Sequence, residues 1–230
     1  VFQTGGLAAN PSRVTGGNVL NSLVSQVDRD GHGNEASPGY NSLWLANHRL
    51  TADILDGYDL YPDADLYANP KFRKMFAAYY PLLLSESYTV NVGDTAAAGN
   101  PYVQVKLEDM VKAFDKFGDP IYAQVAFFLN GNRTDGLHLD IFSHEPQRIA
   151  DRIGGIVAER GPLRLESVNL SGYGFAALRD GRSSDRTLRD FWMYYGRNTG
   201  HGHRDTLNVG LHAFGLDLSP DLGYPEYADV

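Results

Sequence analysis

Apolar positions in the first two thirds of the chain recur at helical spacing, and each run starts and stops on a recognisable signal. Ser37-Pro38, Asn69-Pro70 and Asp119-Pro120 put a capping side chain before a proline, whose missing N–H is no loss in a first helical turn. After Ser37, the residues Tyr40, Leu43, Leu50 and Ile54 recur near the helical period, and Gly57 supplies a stop. Phe72, Met75, Phe76, Tyr79 and Leu83 form a wide second stripe after Asn69. Leu107, Met110, Val111 and Phe114 form a third, closed by Gly118. Ile121, Val125, Phe128 and Leu129 form a fourth, ending at Asn130-Gly131, and Ile149, Ile153 and Val157 mark a fifth. Stripes this wide predict helices packed on more than one side, as in a helical array.

Around Gly161-Pro162 the pattern changes. Leu163, Leu165 and Val168 open a run of extended segments, followed by Phe175 to Leu178, Leu188 to Tyr195 and Leu207 to Phe214. Asp180-Gly181, Gly196 and Gly215 separate them, as turns separate strands. Helices first and strands afterwards predict an α+β chain of two segregated parts, 1–160 helical and 161–230 antiparallel β, not an alternating parallel-sheet fold. Four or five strands in the second part make an incomplete sandwich with an exposed edge.

Composition narrows the function classes. No stretch approaches about 18 uninterrupted apolar residues, so no membrane-spanning helix is expected. Cysteine is absent, which removes disulfides and thiolate metal sites. A net charge of −8 argues against general nucleic-acid or membrane-surface binding. The charge is uneven, however: Arg179, Arg182, Arg186, Arg189, Arg197 and Arg204 crowd one segment with only three acids before Asp205. Such a stripe can hold an anionic ligand or consist of solvated strand arginines. The start at Val1 predicts a chain processed, trimmed or cut from something longer.

Three local signals carry candidate chemistry. Gly200-His201-Gly202-His203-Arg204-Asp205 precedes an apolar strand. If extended, it projects His201, His203 and Asp205 to one face, a set that suits a divalent metal, zinc most readily. The same spacing occurs in metallo-β-lactamase-type hydrolases, which carry a further histidine where this chain has Thr206. The loop Asp30-Gly31-His32-Gly33-Asn34-Glu35-Ala36 leads into Ser37-Pro38-Gly39-Tyr40. If Ser37 caps a helix, Tyr40 lies in its first turn, where the positive end of the helix dipole favours a phenolate; a buried structural tyrosine is the alternative. Asp221, in Pro220-Asp221-Leu222-Gly223, sits on a common turn pattern. His48, His138, His144 and His212 read as structural or surface histidines.

Together and in this order, these pieces resemble the heparinase II/III-like polysaccharide lyases. The resemblance rests on Asp30-Gly31 with Glu35-x-Ser37-Pro38-x-Tyr40, on Gly172-Tyr173-Gly174-Phe175-Ala176-Ala177-Leu178-Arg179-Asp180-Gly181, on the Gly-His-Gly-His-x-Asp motif at 200–205, and on Asp221-Leu222-Gly223 followed by Pro225 and Tyr227. It runs from about residue 20 to the end, with 86–160 matching mainly in helical character.

The resemblance implies a partial α/α toroid followed by an antiparallel β-sandwich, and β-elimination on uronic-acid polymers such as heparan sulfate or alginate. Tyr40 matches the family's catalytic tyrosine and His201 its catalytic histidine. His203 and Asp221 match two ligands of a structural zinc, which leaves Asp205 a motif residue without a role carried over. Asn34, Glu35, Arg197 and Arg204 are the candidate substrate contacts. A secreted or periplasmic location is likewise implied by the family alone. Two family positions have no counterpart here: a carboxylate-neutralising Asn or His upstream of the tyrosine, and a third metal-binding histidine beyond Asp221. The expectation is a segment spanning the end of the toroid and the start of the sandwich. A carbohydrate-binding relative without turnover, or a metal-dependent hydrolase, are the other readings.

Overall fold

The computed structural model describes residues 19–60, 65–97, 99–140, 143–182 and 185–224. Among the described residues, six α-helices occupy the N-terminal part: α1 (Val19–Gln26), α2 (Pro38–Leu55), α3 (Pro70–Ala77), α4 (Leu107–Phe117), α5 (Pro120–Leu129) and α6 (Arg148–Arg160). Their boundaries follow the expected capping chemistry. Ser37, Asn69 and Asp119 each accept a backbone N–H at the start of α2, α3 and α5, and Gly118 closes α4 at φ 68°. Helix α1 lies outside the five stripes read from the sequence. None of these helices is long and apolar enough to cross a membrane.

Helix α2 turns a different side inward from the one its apolar spacing indicates. Pro38, Asn41, Leu45, His48 and Ala52 are buried, whereas Leu43, Leu50 and Ile54 are exposed. Asn41 and His48 satisfy their polar atoms inside: Asn41 bonds the backbone of Glu35, and His48 bonds the Trp44 carbonyl and the Ser22 hydroxyl. Those partners make burial of two polar residues tolerable. The helical core gathers Phe72, Met75, Phe76, Met110, Phe114 and Ile153, among others.

The C-terminal part is an antiparallel meander of β3 (Val168–Leu170), β4 (Phe175–Asp180), β5 (Arg189–Tyr194), β6 (Asn208–Ala213) and β7 (Leu216–Asp217), in that spatial order. Leu163 and Leu165 precede the first strand instead of forming it. Burial alternates along β5, with Asp190, Trp192 and Tyr194 inward and Arg189 and Phe191 outward. Gly210 on β6 leaves room for the Trp192 ring, which a Cβ there would strike.

An extended stretch inside the helical part joins the two parts. Strands β1 (Leu83–Leu84) and β2 (Tyr88–Thr89) form a hairpin. Leu82, Leu84, Tyr88, Val90 and Val92 pack with Tyr173, Phe175, Trp192 and Tyr194 in a second apolar core. Buried Arg179 of β4 reaches across to the carbonyls of Pro81 and Leu83 and pairs with Asp190. Asp190 in turn accepts from the Ser85 N–H and hydroxyl.

The opposite face of the sheet is apolar too. Leu178, Phe191 and Leu211 are register partners on adjacent strands, and all three are exposed.

Candidate functional site

The loop before α2 and the loop before β6 meet where the helical part abuts the sheet. Loop 28–36 is shaped from within: Asp28 accepts the N–H groups of Asp30 and His32, and Asn41 holds Glu35 by its amide and carbonyl. The Ser37 hydroxyl accepts the Tyr40 N–H at 3.4 Å and lies 3.0 Å from the Thr95 hydroxyl. Tyr40 therefore stands in the first turn of α2, half-buried, with its orientation fixed by the cap.

Residues 200–206 are not a strand; β6 begins at Asn208. His201 adopts a left-handed backbone, φ 57°, which breaks the alternation expected of an extended segment. The His201 side chain consequently parts from those of His203 and Asp205. The His201 ring stacks on Tyr40, centroids 3.4 Å apart and planes 4° from parallel, and its Nδ1 lies 3.1 Å from Glu35 Oε2. The His203 Nε2 lies 2.9 Å from Asp94 Oδ1. Asp205 turns toward Asp221, the Asn208 amide contacting both carboxylates.

A carboxylate only accepts, so in the neutral form of the ring Glu35 places the His201 proton on Nδ1, and Nε2 carries the lone pair. With 39% of its side chain exposed, His201 is open to a ligand. Glycines permit the close approach: a Cβ at Gly200 would strike the Glu35 carboxylate, and one at Gly202 would strike Ala36. The Ala36 N–H donates to the Gly200 carbonyl, and the Thr199 hydroxyl to the Asn34 carbonyl.

One possible metal-binding group stands out among the described residues. Ligand atoms of His203, Asp205 and Asp221 lie within 4.8 Å of one another. One nitrogen and two carboxylates are a donor set that suits a divalent cation. Burial pushes the Asp221 carboxyl above the usual carboxylate range, and the Asp205 charge adds to the rise. Gly223, at φ 65°, donates its N–H to Asp221 and bridges to Ala97. Pro225 and Tyr227 of the same motif lie outside the described residues. Sequence spacing had joined His201 to His203 and Asp205; the turn at His201 removes it from that group. Asp205, to which the resemblance carried over no role, stays in it.

The remaining candidates divide by their partners. Arg197 pairs with Asp28 and lies over the Tyr173 ring. Arg204 is exposed on the loop between His203 and Asp205, and Asn34 is exposed beside Glu35. Of the arginine stripe, Arg179 is committed to carbonyls and Asp190, and Arg189 to Asp180. His32 is fully buried, stacked on Tyr173 at 4.0 Å, and burial lowers its pKa to about 4.

Sequence reasoning passed over Asp94. Its signal was present in Tyr88-Thr89-Val90-Asn91-Val92, an alternating run that ends on the turn pair Gly93-Asp94.

No family model matches the chain, and no curated protein matches it. Among solved structures it is similar to a heparan sulfate lyase HepC mutant from Pedobacter heparinus, with a TM-score of 0.53 at 18% identity. The alignment covers 91% of this chain and 28% of that one, so the chain spans less than a third of that lyase's length. At this identity the similarity speaks for the fold: the helical part followed by an antiparallel sheet is an α+β arrangement similar to that of the lyase.

Proposed function

We propose that the chain carries the proton-transfer pair of a polysaccharide lyase that cleaves uronic-acid polymers, glycosaminoglycan or alginate-like, by β-elimination. The reading rests on one observation above all: Tyr40, from a helix, and His201, from a loop of the sheet part, lie ring to ring in an accessible position. The fold shared with a heparan sulfate lyase supports the same substrate class. On this reading the helical part belongs to an α/α toroid. The apolar outer face of the sheet belongs to the seam of a β-sandwich.

Elimination breaks the C5–H and C4–O4 bonds of the uronate, forms a C4=C5 double bond and returns a proton to O4. Two groups are needed, one to take the C5 proton and one to give a proton to the leaving oxygen. For one configuration at C5, Tyr40 serves both; for the other, the free Nε2 of His201 takes the proton and Tyr40 supplies one. Glu35 is then a positioning residue that sets the tautomer of His201. Arg204 and Asn34 are suited to contact the anionic sugar. The enolate that develops calls for an electropositive neighbour, and Arg204 is the exposed guanidinium nearest in sequence to His201.

His203, Asp205 and Asp221 would hold a divalent cation such as Zn2+, with Asn208 bonded to both carboxylates. Such an ion would brace the loop that presents His201 and take no part in proton transfer. The separation of His201 from this group counts against a hydrolase that places both histidines on one ion.

Tyr40→Phe should abolish the ultraviolet-absorbing unsaturated product from uronates of either C5 configuration, and His201→Ala should abolish it from the configuration in which His201 is the base. Retained turnover in both would refute the assignment. Binding of the polymer by the unaltered protein without new double bonds would make the chain a carbohydrate-binding relative.

A further inference from the structure

We propose that Asp94 is a positioning residue that grips both histidines of the 200–205 loop and holds His201 against Tyr40. The inference rests on the reading of His201 as a proton-transfer group. Asp94 closes the turn at 92–94 that follows β2, a part of the chain separate from the loop of Glu35 and Ala36. Its N–H donates to the His201 carbonyl at 3.0 Å, and its carboxylate accepts from His203 Nε2 at 2.9 Å. One residue thus fixes the backbone of the first histidine and the ring of the second.

The residue before it makes this grip close. Gly93 has φ 59°, and a Cβ there would run into the His201 carbonyl oxygen. Backbone therefore lies directly on backbone at this point, with no side chain between. His201 itself sits in the left-handed region, which costs a non-glycine residue about 1–3 kcal/mol and persists only where the surroundings over-determine it. Loop 34–36 holds the chain at Thr199 and Gly200, and Asp94 holds it at His201 and His203. Without the second hold, the His201 backbone can relax toward the extended region, and its ring leaves the face of Tyr40.

The same contact selects a nitrogen on His203. A carboxylate accepts, so in a neutral imidazole this contact puts the proton on Nε2, and Nδ1 would be the nitrogen left to a cation. Asp94 itself is not a member of that group.

The test compares Asp94→Ala with Asp94→Asn in the full chain, because the asparagine oxygen still accepts from His203. The first readout is the ring proton resonance of His201, identified by its loss in His201→Ala and shifted upfield by the Tyr40 ring. Asp94→Ala keeps the N–H on the His201 carbonyl but frees the His203 ring, and the loosened loop should lose much of that upfield shift, whereas Asp94→Asn should keep most of it. The second readout is turnover: Asp94→Ala should lower kcat about 10- to 100-fold with KM within about twofold, and Asp94→Asn should recover most of the loss. Should Asp94→Ala fail to fold, Gly93→Ala presses on the same carbonyl and should remove the same upfield shift. An unchanged His201 resonance in a folded Asp94→Ala or Gly93→Ala protein would overturn the proposal. If the unaltered protein yields no unsaturated product, the lyase reading fails, while the His201 resonance still decides the role of Asp94.

Discussion

Glu35 meets Nδ1 of His201 at 3.1 Å although 166 residues separate them in the chain. The contact joins the helical part to the sheet part at the point where chemistry is proposed. It also defines which imidazole nitrogen is free.

Removing that contact should cost turnover more than stability. Glu35→Ala is expected to slow product formation about 10- to 100-fold, the range seen when a partner that orients an imidazole is lost. Gly200→Ala should act in the same direction, because its methyl displaces the mobile end of the Glu35 side chain and not a backbone atom. Initial rates at saturating uronate polymer, set beside melting temperatures, check both. A Glu35→Ala enzyme as fast as the unaltered one would remove Glu35 from the site.

The cation group makes a prediction independent of turnover. Zn2+ added to chelator-treated protein should raise the melting temperature by about 5–10 °C at a hundredfold excess over its Kd. His203→Ala and Asp221→Asn should each suppress most of the rise. Differential scanning calorimetry reads the shift directly, and an equal rise in all three proteins would place the ion elsewhere.

Much of this arrangement was legible before any coordinates. Ser37, Asn69 and Asp119 announced three helices because a capping side chain and a following proline act locally. Helix α6 ends at Arg160, directly before Gly161-Pro162, where the sequence pattern changes from helical to extended. Tyr40 and His201 were both singled out, each on a motif of its own, although no pattern in the sequence said that they touch. What escaped was set by tertiary context. The exposed side of α2 carries Leu43, Leu50 and Ile54, while polar Asn41 and His48 go inward because partners await them. The left-handed turn at His201 is not written in a histidine, and it parts His201 from the neighbourhood that His203 and Asp205 share with Asp221. Asp94 was invisible because its importance lies in contacts to residues 201 and 203, far along the chain.

His32 gives a pH dependence whose sign can be worked out. Burial lowers its pKa from 6.5 to about 4, against the attraction of Asp28 and Asp30 and with the repulsion of Arg197. Between those values the unfolded chain binds the proton and the folded one does not. Stability from this group is therefore complete above pH 6.5 and falls as pH drops toward 4, by about 3 kcal/mol in all. Asp109 opposes the trend, since burial raises its pKa to about 6 and folding takes up a proton there as pH falls. Denaturant unfolding of the unaltered protein and of His32→Phe at pH 7 and pH 4.5 separates the two. The unaltered protein should lose more stability than the variant over that interval, and equal losses would show that His32 is not protonated on unfolding.

Phe191 stands between Leu178 and Leu211 on the side of the sheet turned away from the helices. Water gains nothing by wetting such a hydrocarbon ladder, and two molecules that press their ladders together release it from both. The crowding of these 230 residues in solution is thus a variable with its own thermodynamic pull. A dilute preparation and a concentrated one need not be the same species.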